Sequence, residues 1–115
     1  MASGAELKFQ AFSDPIRLRI LFLLRKQEMC VCDLVAVLKV PQPTASRHLA
    51  RLRKSGLVKV RKEGFWTFYS LTTPRSKFEK SLIACLDHCA SESPGLENDQ
   101  TLALRLLKRG KCCPA

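Results

Sequence analysis

Apolar residues recur along this chain at two different spacings, and the change between them separates a helical part from a strand part. Ile16, Ile20 and Leu24 return every fourth residue, with Leu21 and Leu23 beside them, which predicts a helix from Pro15 to about Lys26. Asp14-Pro15 marks its start: a carboxylate that accepts from the open N–H groups of a first turn, then a proline whose missing N–H costs nothing there. A shorter helix is expected before it, around Leu7 to Phe12. Leu34, Val35 and Leu38 predict a helix from about Cys32 to Lys39, and Pro41-Gln42-Pro43 then breaks the chain. A further helix runs to about Ser55, with Gly56 in the stop position.

Beyond Gly56 the period drops to two. Leu57 to Lys62 and Phe65 to Leu71 read as strands joined by Glu63-Gly64, a two-residue hairpin signal. Val58 and Val60 alternate with Lys59 and Arg61, so one side is apolar and the other basic. Trp66, Phe68 and Tyr69 have two readings, as base-stacking rings or as strand residues packed on a helix. Phe78, Leu82, Cys85, Leu86 and Cys89 form the apolar stripe of a long helix after Pro74. Ala90 to Gln100 reads as a loop and Asp99 to Arg109 as a short helix. The expected fold is mainly α with a small β-hairpin (α+β). Residues 1–90 make one domain, and 91–115 a loop, a short helix and a cysteine-containing tail.

The helix beginning near Pro43 separates into two faces. Ala45, Leu49 and Leu52 form an apolar stripe, while Thr44, Arg47, His48 and Arg51 share another face. A short helix, a tight connection and a second helix with a basic face is the pattern of a helix-turn-helix. Its exposed face reaches phosphates and base edges. A basic hairpin directly after it is the wing of a winged helix, with Arg61 and Lys62 along a phosphate backbone. Charge agrees: the net formal charge is +10, and Arg47 to Lys62 holds seven cations without an intervening acid. That interleaving with helix and strand signals argues against a membrane-surface helix.

Six cysteines accompany no basic start or apolar signal core at the N-terminus, and the longest apolar run is far too short to span a bilayer. A cytoplasmic protein with reduced thiols is therefore expected, using them for metal or redox chemistry and not as staples. Cys30 and Cys32 lie about a dozen residues ahead of the basic helix. Trivalent arsenic and antimony bind thiolates strongly, typically three, so two cysteines are a partial site. Residues two apart on a helix point about 200° away from each other. Either Cys30 precedes the helix, or ligand binding unwinds its first turn. The same pair also reads as two small buried hydrophobes. A thiol enzyme is not expected, because neither a Cys-x-x-Cys motif nor a phosphate-cradling loop is present.

Taken in order, Phe12-Ser13-Asp14-Pro15-Ile16-Arg17-Leu18, Cys30-Val31-Cys32-Asp33-Leu34, Gln42-Pro43-Thr44-Ala45-Ser46-Arg47-His48-Leu49, Gly56-Leu57-Val58 and Gly64-Phe65-Trp66 with Tyr69 resemble the ArsR/SmtB family of metal-responsive repressors. The resemblance covers about residues 7 to 90. It implies a homodimeric winged helix that binds double-stranded operator DNA when ligand-free and releases it when metal binds. The Cys-Val-Cys-Asp-Leu segment resembles the arsenite-responsive branch, so arsenite or antimonite is the expected inducer and no further cofactor is required. Cadmium, lead or thiol oxidation on the same fold is the alternative. The DNA-contacting candidates are Gln42, Thr44, Ser46, Arg47, His48, Arg51, Arg61 and Lys62. Two positions depart from the branch: Val35 stands where a third cysteine often falls, and Pro41 where serine is common. Cys112 or Cys113 is a candidate for the missing third thiolate, against the reading of an ordinary chain end. Cys85 and Cys89, one turn apart, read as core or dimer interface in preference to a metal site. Asp87 and His88 resemble half of the family's zinc site, but no downstream His and Glu complete it, and zinc is not expected there.

Overall fold

The computed structural model describes residues 4–108. The element order is α1 (Gly4–Phe12), α2 (Pro15–Leu24), β1 (Met29–Cys30), α3 (Val31–Leu38), α4 (Gln42–Ser55), β2 (Val58–Glu63), β3 (Trp66–Leu71), α5 (Lys77–Cys89) and α6 (Gly95–Lys108). Helix α2 is the central post. Ile20 to Leu24 are all buried, so its second half is surrounded on every side. Its first turn is capped as its sequence requires: the Asp14 carboxylate accepts from the N–H groups of Ile16 (2.9 Å) and Arg17 (3.0 Å).

Helices α3 and α4 form the helix-turn-helix. Lys39 closes α3 in the left-handed region (φ 57°), its N–H donating to Val35 at 2.9 Å. Pro41 opens α4, and its carbonyl accepts from Thr44 and Ala45. Gly56 ends α4 at φ 85°, a conformation that an L side chain adopts at a cost. Ala45, Leu49 and Leu52 are buried, the stripe expected from their spacing, and Leu49 and Leu52 join the main core.

The sheet has three antiparallel strands, ordered β1-β3-β2, so the wing hairpin carries a third strand absent from the expected fold. Met29 pairs with Tyr69 and Cys30 with Phe68. A two-residue strand is too short to show a period, which is why the sequence did not reveal it. Glu63 pairs with Trp66, so the hairpin turn is Gly64-Phe65, one residue later than Glu63-Gly64. Positive φ falls on Gly64 (59°) and not on Phe65, as a type II′ turn requires.

The region expected to be a loop from Ala90 to Gln100 folds into helix from Gly95 onward. Its Gly, Ser and Pro content outweighed a helical spacing, with Leu96 and Ala103 buried on one face. Helix α6 packs on α2 and α3, where Arg19 makes a bidentate bridge to the buried Asp99 (2.7 and 2.9 Å). Helix α6 thus contributes Ala103 to the main core, with Leu102 and Leu106 packed against it.

Candidate thiol site and nucleic-acid interface

Cys30 ends β1 and is the N-cap of α3, with extended backbone (φ −80°, ψ 161°), while Cys32 lies in the first turn. Of the two arrangements open to the sequence, Cys30 preceding the helix is the one observed. Leaving the helix turns its side chain toward its neighbour, and the two sulfurs are 2.9 Å apart. No unwinding of α3 is needed to gather them. The Asp33 carboxylate belongs to the same cluster: one ligand atom from each of Cys30, Cys32 and Asp33 lies within 4.8 Å of the others. Cys30 and Asp33 are buried and Cys32 is half-buried.

Burial pushes the Cys30 thiol above its ordinary pKa, and the Asp33 carboxylate adds to the rise. Backbone N–H groups of Asp33 and Cys32, at the positive end of α3, pull the other way without cancelling it. Such a thiol keeps its proton near neutral pH.

Residues opposite each other across antiparallel strands share a face. Met29, Val58, Tyr69 and Leu71 line the face that meets the main core. Cys30 and Phe68 make a separate buried cluster, with Cys32 and Trp66 packed on it. Phe68 also pairs with Arg61 on its other side, whose guanidinium lies 4.6 Å from the ring centroid. Arg61 is held by Glu28 (2.7 and 3.1 Å) and Glu63 (2.7 Å), which raises its pKa. The thiol pair, an aromatic floor and a charged clasp are therefore stacked across three strands. Asp33, Phe68, Trp66 and Glu28 were not among the residues picked out as site candidates. Phe68 and Trp66 were weighed only as stacking or packing residues, and the strand pairing that brings them to Cys30 involves the short β1.

On α4, Gln42, Ser46, Arg47 and Arg51 are exposed and Thr44 is half-buried. His48 turns toward α2 instead: its Nδ1 is 3.3 Å from Arg17 Nη1 and 3.7 Å from the Asp14 carboxylate. Lys62 is exposed on β2, whereas Arg61 is engaged in the clasp. The structure thus leaves Gln42, Ser46, Arg47, Arg51 and Lys62 open to solvent, turns His48 toward α2, and pairs the exposed Arg61 with Glu28 and Glu63.

Cys85 is exposed and Cys89 half-buried on α5, and both thiols donate to carbonyls of their own helix, at 3.0 and 3.4 Å. The buried stripe of α5 is Leu82 and Leu86, so Cys85 is not a core residue. Cys112 and Cys113 lie outside the described residues. No helix among the described residues is long and apolar enough to cross a membrane.

Residues 14–60 match the family described as bacterial regulatory protein, arsR family. An uncharacterized HTH-type transcriptional regulator of Methanocaldococcus jannaschii is 54% identical over 70 residues, 60% of this chain and 79% of that one. An arsenical resistance operon repressor of Staphylococcus xylosus is 35% identical over 103 residues, 90% of each chain. A cadmium resistance regulatory protein homolog of Staphylococcus aureus is 42% identical over 64 residues, 55% of this chain and 53% of that one. For several of the curated relatives the matching part spans about half their length. Among solved structures, HlyU of Vibrio cholerae superposes with a TM-score of 0.66 at 36% identity, covering 75% of this chain and 90% of that one. A homodimeric winged helix-turn-helix DNA-binding domain of Mycobacterium bovis superposes with a TM-score of 0.64 at 28% identity, covering 77% and 80%.

Proposed function

Since this chain belongs to the ArsR family of bacterial regulatory proteins, we propose that it is a repressor that holds operator DNA as a homodimer and releases it when Cys30 and Cys32 capture arsenite or antimonite. The observation that carries this reading is the 2.9 Å approach of the Cys30 and Cys32 sulfurs at the junction of β1 and α3. One end of that junction leads through Lys39 into α4; the other is hydrogen-bonded to the wing.

In this reading Gln42, Thr44, Ser46, Arg47 and Arg51 read or grip DNA at the major groove and its edge, and Lys62 holds the flanking backbone. His48 and Arg61 orient the elements that do so. Each arsenic–sulfur bond replaces an arsenic-bound hydroxide, which leaves as water with the thiol proton. Filling the pair presses on Phe68 and Trp66 beside it, and so on the wing. A third thiolate would come from Cys112 or Cys113, of the same or the partner subunit. Phe9, 56% exposed, stacks edge-to-face on Phe78 (5.5 Å, 69°), offering an apolar surface of α1 and α5 to a second copy.

Asp33 favours a second reading. Two sulfurs with a carboxylate oxygen suit a divalent cation such as cadmium or lead better than they suit trivalent arsenic, and one relative is named for cadmium resistance.

Fluorescence anisotropy of the reduced protein on its promoter fragment tests both. Release by arsenite in the wild type but not in Cys30→Ser/Cys32→Ser supports the main reading. Binding indifferent to arsenite but relieved by cadmium or lead supports the second.

A further inference from the structure

The outward face of α4 does not end at Arg51. A cleft of about 420 Å³ lies between α1 and the second half of α4, lined by Leu7, Gln10, Ala11, Arg17, Arg51, Lys54 and Ser55. Three of its lining residues are cations and none is an acid. Four cations elsewhere in the structure are paired with carboxylates: Lys8 with Glu79, Arg19 with Asp99, Arg25 with Asp87, and Arg61 with Glu28 and Glu63. Arg51 and Lys54 have no such bridge among the described residues.

Arg17 is fixed in place. Its Nη2 donates to the Gln10 carbonyl at 2.9 Å and its Nε to the Ala11 carbonyl at 3.3 Å, while Nη1 touches His48. Apart from the nearby Asp14 carboxylate, whose pKa its charge lowers, this guanidinium is held by backbone carbonyls, and it loses little side-chain freedom on binding a ligand. The helix dipole accounts for a cation in the last turn of α4, and Arg53 supplies one beside Lys54. It does not account for Arg17, which comes from another helix to the same cleft.

We propose that this cleft is a phosphodiester seat, in which Arg17, Arg51 and Lys54 hold a backbone phosphate of the DNA whose groove α4 enters. The spacing fits. Arg47 and Lys54 are seven residues apart, about 10 Å along a helix rising 1.5 Å per residue. The major groove is about 12 Å wide, so the strand at its edge passes at the level of Arg51 and Lys54. Leu7 and Ala11 form a dry wall, which strengthens the charge interaction.

The seat rests on DNA binding by α4, and the test separates the two. DNA affinity is measured against salt for the wild type, Lys54→Gln and Arg51→Gln, on operator and on scrambled duplex. Lys54 is exposed, so its substitution leaves the fold intact. The expected result is that Lys54→Gln lowers the slope of log K against log[salt] by about 1 and weakens both duplexes by the same factor. A duplex with an uncharged methylphosphonate at the facing phosphate should weaken the wild type and add nothing to the Lys54→Gln loss. An unchanged slope in Lys54→Gln, or a loss confined to operator, overturns the seat while leaving DNA binding standing. Wild-type protein without salt-dependent binding to any duplex overturns both.

Discussion

Cys30 and Arg61 meet the same residue from opposite sides: each is the register partner of Phe68, one in β1 and the other in β2. The sulfur packs on the ring and the guanidinium lies 4.6 Å from its centroid. In the proposed reading, a ligand held between the Cys30 and Cys32 sulfurs presses on a ring that also supports the wing.

Breaking the clasp should therefore uncouple sensing from release. Glu28→Gln removes the bidentate partner of Arg61 without touching a sulfur. We expect arsenite to bind the DNA-free variant as tightly as wild type but to loosen DNA less, with at least half of a coupling of ~1–3 kcal/mol lost. Paired titrations of ligand and DNA check this, because the coupling must be the same in either order. Equal coupling in the variant and wild type would exclude the clasp as a route.

Asp33→Asn should divide the candidate ligands. An oxygen donor matters to cadmium or lead and little to arsenite, so the substitution should weaken cadmium-dependent release by roughly tenfold or more and leave arsenite within a factor of about three. Equal losses for both would mean that Asp33 supports the loop and not the ion.

Asp14→Ala removes the α2 cap and should cost about 1 kcal/mol at neutral pH. Burial alone would raise the Asp14 carboxyl, but N–H groups of Arg17 and Ile16 and the charges of His48 and Arg17 outweigh it and lower its pKa below 3.8. A lowered folded pKa means that the stabilisation is full above the unfolded value and is lost as pH falls through the folded one. The wild-type advantage should persist at pH 6 and shrink below about pH 4, read from urea midpoints of both proteins.

Lys39 is the one non-glycine at positive φ among the described residues. Lys39→Gly should raise stability by about 0.5–1 kcal/mol, since the left-handed penalty exceeds the extra freedom of unfolded glycine. A lower melting temperature would show that the Lys39 side chain contributes what its backbone gives up.

The helix-turn-helix was readable because each signal was local: Asp14-Pro15 before α2, the Ala45, Leu49, Leu52 stripe, and Gly56 at the stop. The thiol pair was readable too, as two outcomes of one geometric argument, between which the extended backbone at Cys30 decides. The rest depended on distant pairing. Strand β1 is defined by its partner β3 and has no pattern of its own, so Phe68, Trp66 and Glu28 could not be brought to the thiols in advance. Helix α6 was masked by Gly95 and Pro94, and its anchor, Arg19 to Asp99, joins positions 80 residues apart. His48 and Arg61 looked like free cations because local periodicity says nothing about Asp14, Arg17 and Glu28.

The sheet separates two tasks by its two faces. Met29, Val58 and Leu71 pack on the main core, while Cys30, Cys32, Phe68 and Trp66 form their own small cluster on the opposite side. In the proposed reading, inheritance and engineering can treat the detector as an exchangeable part. Replacing donors on the outer face would retune which element is noticed while the inner face keeps its seat on the core, and a biosensor for a new ion could start from this scaffold without redesigning its address.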